Sequence, residues 1–275
     1  MQKLFIVLAL FIAGPLCAQK KKAADPLAGI EKELELILKD RKAAGFAVAV
    51  VKKDSVIYAK GFGYRDYENK IPVTPNTLFA IGSCTKAFTS SLLGLMRKEG
   101  SIDFNQPARD YLPGLKFFND ELTRNVTVKD IIVHRTGLPR HDFSWYLFST
   151  DSRDELLKRI EYMEPTAPLR QTWQYNNFMY LVQGMIAEKH YGKTWEELVS
   201  KKLLEPMGMK RSNSSIATLA ADSDAALGYG LKNDSLISKT EYYNINAMGP
   251  AGSINSSVME MAQWLKVWIN KGKLN

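Results

Sequence analysis

The stretch that decides the fold is residues 77–112, TLFAIGSCTKAFTSSLLGLMRKEGSIDFNQPARDYL. It opens with an apolar lead-in, turns at Gly82, and is predicted to continue as a helix from Ser83 to Gly100. Ser83 and Lys86 are three residues apart, and positions i and i+3 share one face of a helix. The hydroxyl and the ammonium can therefore come within hydrogen-bond distance, beside a helix N-terminus that favours negative charge.

This Ser-x-x-Lys pair has two interpretations. Ser is a common N-cap residue and Lys is ordinary on an exposed helix face, so the pair alone does not identify a site. However, the residues after Lys86 are apolar or small, which predicts a largely buried helix. A buried Lys needs a partner or a lowered pKa, and a serine is a useful nucleophile only beside a base or a stabilised anion. The setting favours Ser83 as a nucleophile with Lys86 as its base.

A second candidate cluster is residues 173–177, WQYNN, directly before an apolar helix predicted over 178–190. Tyr175 and Asn177 are two residues apart, so on an extended turn both side chains can point into one cavity. A turn that only caps the next helix would explain the same residues. In the functional interpretation, Tyr175 relays a proton and Asn177 binds both Lys86 and a substrate carbonyl.

Composition and charge narrow the class of partner. The chain has 275 residues, 45% hydrophobic and 24% charged, as in globular proteins. Its formal net charge of +8 is spread along the sequence, which fits an anionic substrate or an envelope surface. No array of basic and aromatic residues suggests nucleic-acid binding. His134, His141 and His190 lack the spacing of a zinc helix, so we expect no metal and no cofactor.

The N-terminus predicts export. Residues 1–18, MQKLFIVLALFIAGPLCA, combine a basic start, an apolar segment and a small residue for cleavage, which is typical of a secretory signal peptide. The segment is too short to span a membrane, and Leu16 before Cys17 argues against a lipid anchor. We expect a secreted or periplasmic mature domain, residues 19–275, with no integral membrane segment. Its remaining cysteine, Cys84, is interpreted as a small core residue, with a redox role as the alternative.

Periodicity along the chain predicts an α/β fold, in which an antiparallel sheet with flanking helices carries a large helical subdomain. Residues 46–51 and 56–61 read as a hairpin, 103–113 as an extended crossing and 211–246 as a long surface excursion. Cap residues support several helices, notably Thr127, Thr194 with Glu197, and Ser256 or Ser257. The predicted helices are 27–42 (with Asp25 as cap and Pro26 in the first turn), 126–133, 153–162, 178–190, 194–204 and 258–269.

Five segments together resemble the serine β-lactamase and penicillin-binding protein superfamily, in the branch that holds class C β-lactamases, D-Ala-D-Ala carboxypeptidases and related esterases. In order they are LFAIGSCTKAFTS, EGSIDFNQPARDYLP, VKDIIVHRTGLP, WQYNNFMYLVQGMIAE and LLEPMGM, and the resemblance covers residues 46–269. It implies a β-lactamase/transpeptidase-like fold. It also implies that Ser83 attacks an acyl carbonyl, Lys86 and Tyr175 relay the proton, and Asn177 orients the substrate. The substrate would be a β-lactam, a D-amino acid peptide, an ester or a peptidoglycan-like molecule, and the protein a monomer.

The sequence departs from this family in three places. Leu169-Arg170 replaces a Pro-Gly pair before the tyrosine motif, which is expected to alter the cleft wall. The acidic residue that the family has near the start of the last helix appears here as Glu260, and we count it neither for nor against the resemblance. No KTG or HxG strand precedes Asn275, so we expect a domain that is incomplete at its C-terminus and lacks the closing strands.

Several alternatives stay open at the level of sequence. His134 in HRTGLP is expected to fix a turn through hydrogen bonds rather than act as a base, because Lys86 and Tyr175 fill that role. The aromatic residues Trp145, Tyr146 and Phe148 either line the cleft or pack in the core. A catalytically silent domain that binds penicillin or peptidoglycan is the alternative to an enzyme.

Overall fold

The computed structural model describes residues 26–274; the predicted signal peptide, Cys17 and Asp25 lie outside this range. The strands are β1 Gly45–Lys52, β2 Ser55–Asp66, β3 Ile71–Pro72, β4 Phe79–Ala80, β5 Gly228–Lys232, β6 Leu236–Thr240 and β7 Asn255–Ser256. The α-helices are α1 Ile30–Asp40, α2 Thr85–Lys98, α3 Ala108–Tyr111, α4 Asp120–Asn125, α5 Val128–Ile132, α6 Phe143–Tyr146, α7 Arg153–Arg159, α8 Phe178–Tyr191, α9 Trp195–Val199, α10 Ile216–Ala221, α11 Gly249–Gly252 and α12 Val258–Ile269. Two 3₁₀ turns, Gly82–Cys84 and Ile160–Tyr162, and a π-helical stretch, Ser200–Leu204, complete the regular structure.

The sheet is built around the predicted hairpin. β1 pairs antiparallel with β2 from Gly45 opposite Gly63 to Lys52 opposite Ser55, and β3 pairs with the other edge of β2. The run of β-branched residues in β1 suits a pleated surface that is partly buried. Helix α12 packs across β1 and β2, where the strand residues are mostly half-buried.

The core of the helical subdomain is α8. Its residues from Phe178 to Ala187 are all buried, in keeping with a helix that is apolar on every side. Helices α2, α5, α7, α9 and α11 pack against it. Because α2 begins one residue after Cys84 and α8 begins one residue after Asn177, this packing brings the two predicted site segments together.

The predicted elements with clear cap signals are present. Thr127 and Thr194 each form a capping box, and Ser257 is the residue that caps α12. The predicted start of the first helix was wrong. It begins at Ile30 after Gly29, which has φ of 82° and provides no side-chain cap.

Two predicted stretches contain more structure than expected. The crossing at 103–113 includes the short helix α3, because the Ala108 N–H bonds the Val126 carbonyl and anchors the turn. The excursion at 211–246 contains α10 and the hairpin of β5 and β6. The predicted α/β class, with an antiparallel sheet beside a large helical subdomain, is confirmed. Over residues 26–274, no helix combines the length and apolar character that crossing a membrane requires.

Candidate active site

Ser83 lies in the 3₁₀ turn Gly82–Cys84 that leads into α2, so the α-helix starts at Thr85, two residues later than predicted. Lys86 follows in the first turn of α2, three residues later, and its Nζ reaches the Ser83 hydroxyl. The same turn exposes Ser83 and its neighbour Cys84. The interpretation of Cys84 as a core residue was therefore wrong, since the buried face of α2 starts at Thr85.

The structure brings Ser83, Lys86, Tyr175 and Asn177 into one hydrogen-bonded cluster. The Tyr175 hydroxyl lies 2.5 Å from Ser83 Oγ, and Lys86 Nζ donates to the same oxygen at 3.0 Å. Lys86 Nζ also donates to Asn177 Oδ1 at 2.7 Å. Two groups able to accept a proton thus contact the oxygen of the exposed Ser83.

The two asparagines of WQYNN have different roles: Asn176 caps α8, and Asn177 contacts Lys86. Asn176 is fully buried, and its Oδ1 accepts from the Met179 N–H at the start of α8 while its Nδ2 donates to the Pro139 carbonyl. Asn177 makes no cap hydrogen bond. Its oxygen faces the Lys86 ammonium and its Nδ2 donates to Asp142 Oδ1 at 2.8 Å. The capping interpretation therefore holds for Asn176, and the site interpretation holds for the position of Asn177.

Lys86 is only 7% exposed. Burial lowers the pKa of Lys86 to about 8, the nearby Arg140 adds to this effect, and the Asp142 carboxylate opposes it. Its third hydrogen-bond acceptor is the Ala251 carbonyl at 2.7 Å, which α11 supplies from a distant part of the chain. The ammonium form is thus fully hydrogen-bonded, and the neutral form is accessible near neutral pH.

Asp142, which sequence reasoning missed, holds two residues of the site, Asn177 and Arg140, through hydrogen bonds. Its Oδ1 accepts from Asn177 and from Trp145 Nε1, and its Oδ2 accepts from Arg140 Nε at 2.6 Å. These bonds hold the pKa of Asp142 below its usual value against the opposing effect of burial. Asp142 precedes α6 in the position of an N-cap, yet makes no cap hydrogen bond. The signal in the sequence was an acidic residue three positions after HRTGLP.

His134 holds the turn, in line with the sequence-based expectation. Its Nδ1 accepts from the Asn176 N–H at 3.1 Å, and its ring stacks on Tyr175 at 4.7 Å. Burial, together with the charges of Lys86 and Arg140, lowers the pKa of His134 to about 4. His134 is therefore neutral near pH 7, and its Nδ1 is engaged by the backbone.

The flanking aromatic residues take different places. Trp145 is half-buried and packs against the core, whereas Tyr146 and Phe148 are exposed, so the core alternative fails for these two. Arg170 directs its guanidinium to Asp130 and the Asn125 carbonyl.

Glu260, which counted neither for nor against the family resemblance, connects two segments of the structure. Its carboxylate accepts from the backbone N–H groups of Arg211 and Ser212 and so ties residues 211–212 to α12. Across residues 26–274, no three His, Cys, Asp or Glu side chains converge so as to hold a metal ion.

The chain is similar to a known protein family and to two curated hydrolases. Residues 30–275 match the Beta-lactamase family model. An unguisins hydrolase from Aspergillus campestris is 33% identical over 231 residues, which cover 80% of this chain and 43% of that protein. A teichoic acid D-alanine hydrolase from Staphylococcus aureus is 30% identical over 168 residues, covering 60% of this chain and 40% of that protein. The chain thus spans less than half the length of these two relatives.

Among solved structures, the octameric penicillin-binding protein homologue from Pyrococcus abyssi superposes with a TM-score of 0.80 at 28% identity, covering 90% of this chain and 57% of that one. The family match spans the hairpin, the helical subdomain and every residue of the Ser83 cluster. The resemblance inferred from the five sequence segments is confirmed. The chain belongs to the beta-lactamase family.

Proposed function

We propose that this chain is a serine hydrolase that forms an acyl-enzyme on Ser83 and acts on an amide, lactam or ester. The observation that carries the proposal is the convergence of Tyr175 Oη at 2.5 Å and Lys86 Nζ at 3.0 Å on one exposed serine oxygen. Relatives named as hydrolases support the same reaction class. We also propose that the substrate is a β-lactam, a D-amino acid peptide or an ester.

In the acylation step, the Ser83 oxygen bonds to the acyl carbon while its proton passes to Lys86 or Tyr175. The bond between that carbon and the leaving nitrogen or oxygen then breaks, and the leaving group takes up the proton. Water repeats the sequence on the acyl-enzyme, releases the acid and restores Ser83. Asn177 holds Lys86 in place and offers the geometry to orient the substrate.

Covalent labelling tests this proposal. A fluorophosphonate and a fluorescent penicillin are each incubated with the folded protein, and the modified residue is identified by peptide mass spectrometry. We expect a stoichiometric adduct on Ser83 with one of them and none in Ser83→Ala. No adduct from either reagent would remove the enzyme proposal. Tight penicillin binding without an adduct would favour a silent binding domain instead.

We also propose that the protein acts outside the cytoplasm, because residues 1–18 have the composition of a signal peptide. N-terminal sequencing of the protein recovered from the cell envelope or medium tests this. We expect a mature chain that starts at Gln19. An intact Met1 on the active protein would contradict export by this route.

A further inference from the structure

Arg140 lies beside the reacting groups without a role in the proton relay. Its Cζ is 4.6 Å from the centroid of the Tyr175 ring, and Tyr175 carries the hydroxyl that contacts Ser83. Its Nε donates to Asp142 Oδ2, which fixes the direction of the guanidinium. The side chain is nevertheless 60% exposed. Arg140 is thus held against the site by two contacts while its outer end faces solvent.

The outer end of Arg140 keeps unused hydrogen-bond donors. A guanidinium has five N–H groups in a rigid fork. Within residues 26–274, only the Nε of Arg140 has a hydrogen-bond acceptor, so neither Nη is engaged. Arg159, which also contacts this region, differs, because it donates through its Nη1 to the Ser144 and Phe148 carbonyls. Two Nη atoms in one plane match the two oxygens of a carboxylate or a phosphate.

The local charge favours an anion as the ligand of the Arg140 guanidinium. The carboxylate that contacts Arg140, Asp142, already accepts hydrogen bonds from Arg140, Asn177 and Trp145. The positive charge of Arg140 adds to the effect of burial in lowering the pKa of Lys86. A negative group beside Arg140 would be attracted to both positive charges. The net charge of the whole chain, +8, favours the approach of such a group.

We propose that Arg140 is a specificity residue that binds an anionic oxygen group, a carboxylate or a phosphate, on the substrate attacked by Ser83. This inference rests on the proposed function, since it concerns the substrate of the same site. Asp142 acts as the positioning residue, because it holds the Nε edge of the guanidinium and leaves both Nη atoms toward solvent. The anion would sit beside Tyr175 and would orient the scissile carbonyl before attack.

The test uses three matched ester substrates that share one acyl group and differ in a single substituent, a carboxamide, a carboxylate or a phosphate. The measured quantity is the ratio of kcat/KM for each anionic ester to that for the carboxamide, which cancels any general effect on folding or chemistry. We expect Arg140→Gln to lower this ratio by about 10-fold or more, as for the loss of a charge-assisted hydrogen bond. Arg140→Lys, which keeps the charge and loses the fork, should lie between. The anionic ester with the larger loss identifies the source of the anion.

Arg97→Gln is the matched control. Arg97 also stacks on an aromatic ring, with its Cζ 5.0 Å from the centroid of Phe104, but it lies in the last turn of α2, far from Ser83. Its ratio should equal that of the wild type. Equal losses for all three esters in Arg140→Gln would show a purely structural role and overturn the inference, with the hydrolase proposal intact.

A binding measurement separates this inference from the proposed function. Calorimetry on Ser83→Ala measures the affinity of the same three esters without turnover. Tighter binding of an anionic ester, lost when Arg140→Gln is added, supports the inference. Equal affinity for all three esters overturns it. If the wild type hydrolyses none of them, the proposed reaction on these esters fails, and the calorimetry still decides whether Arg140 selects an anion.

Discussion

At the scale of single residues, the chemistry of the site depends on how Lys86 balances burial against its polar contacts. Burial lowers the pKa of Lys86, the Asp142 carboxylate raises it, and the Arg140 charge lowers it further. The resulting pKa of about 8 leaves a fraction of Lys86 neutral at neutral pH. A fully exposed lysine would be almost entirely protonated under the same conditions. The buried position is therefore what makes this lysine available as a base.

The first prediction concerns pH. The acylation rate should rise as pH increases through about 8, because protonated Lys86 cannot accept the Ser83 proton and neutral Lys86 can. Asp142→Asn should move this rise to lower pH, since removing the carboxylate removes a charge that raises the pKa of Lys86. Stopped-flow acylation between pH 5 and 10, a range of about two units or more on either side of that pKa, measures both profiles.

Asp120→Asn is the control for this profile, because Asp120 is an exposed carboxylate paired with Arg124 on α4. Its profile should match the wild type. A rise that stays at the same pH in Asp142→Asn would show that Asp142 does not act on the titrating group.

The second prediction compares the two candidate bases. Lys86→Ala should slow acylation more than Tyr175→Phe does, by a factor within the roughly 10²–10⁴ range of general acid–base catalysis. Lys86 contacts Ser83, Asn177 and the Ala251 carbonyl, so its loss removes a base and leaves two buried acceptors unpaired. Among residues 26–274, the Tyr175 hydroxyl has one hydrogen-bond partner, Ser83. Rates are compared only for variants whose circular dichroism and thermal melts show a folded protein, and wild-type acylation by Lys86→Ala would refute its assignment.

At the scale of elements, the Ala251 carbonyl is placed by close contact between α8 and α11. A Cβ on Gly184 would lie 2.4 Å from Pro250 Cγ and 2.7 Å from its Cβ, distances that no real side chain tolerates. Thr89 on α2 donates to the Pro250 carbonyl at 2.7 Å from the other side. Helix α11 is therefore fixed between α2 and α8, and the position of its carbonyl follows from that packing.

The third prediction follows from this contact. Gly184→Ala should push α11 off α8, weaken the bond from Lys86 to Ala251 and reduce acylation at least about 10-fold, the sensitivity expected when catalytic groups shift. Gly94→Ala is the control, since Gly94 lies inside α2 with open space around it. That change should stabilise the fold by about 0.5–1 kcal/mol through helix propensity. Melting temperatures and acylation rates of both variants check this, and unchanged acylation in Gly184→Ala would contradict it.

The elements that sequence reasoning predicted well are those whose signals are local. The hairpin follows from alternating β-branched residues, and the starts of α5, α9 and α12 follow from side-chain caps at Thr127, Thr194 and Ser257. The hairpin of β5 and β6 was missed although its signal is also local, since Asn233 and Asp234 at its turn have φ of 52° and 59° and these residue types favour hairpin turns. By contrast, α3 depends on a contact with a remote segment, the Ala108 bond to the Val126 carbonyl. A single-sequence pattern carries no such information.

In the candidate site, too, the residues with a local sequence signal were predicted and the groups without one were missed. Ser83 with Lys86 and Tyr175 with Asn177 were predicted because each pair is close in sequence and resembles a family motif. The Ala251 carbonyl was missed because it lies 165 residues from Lys86 and is a backbone atom, which no residue type signals. Cys84 was misassigned to the core because the 3₁₀ turn rotates it outward, whereas an α-helical start at Ser83 had been assumed.

At the scale of the whole molecule, one arginine joins distant parts of the helical subdomain. Arg153, the first residue of α7, forms ion pairs with Glu188 on α8 and Glu196 near the start of α9. It also donates to the Asn246 and Ala247 carbonyls, just before α11. The side chain is only 16% exposed. The network is partly buried, with Glu188 22% and Glu196 38% exposed, and it links three helices to the segment just before α11, which carries the Ala251 carbonyl.

The last prediction tests this network against an ordinary surface pair. Arg153→Met should lower the free energy of unfolding by about 2 kcal/mol or more, because it leaves two partly buried carboxylates and two carbonyls without their donor. For a chain of this size that corresponds to a fall in Tm of roughly 4–8 °C. Arg124→Met removes an exposed pair with Asp120, with side chains 63% and 91% exposed, and should cost less than about 1 kcal/mol. Thermal and urea unfolding of both variants measure the difference, and acylation should fall only in Arg153→Met, since only that change frees the segment before α11. Equal melting temperatures for the two variants would show that the Arg153 network contributes no more than a surface ion pair.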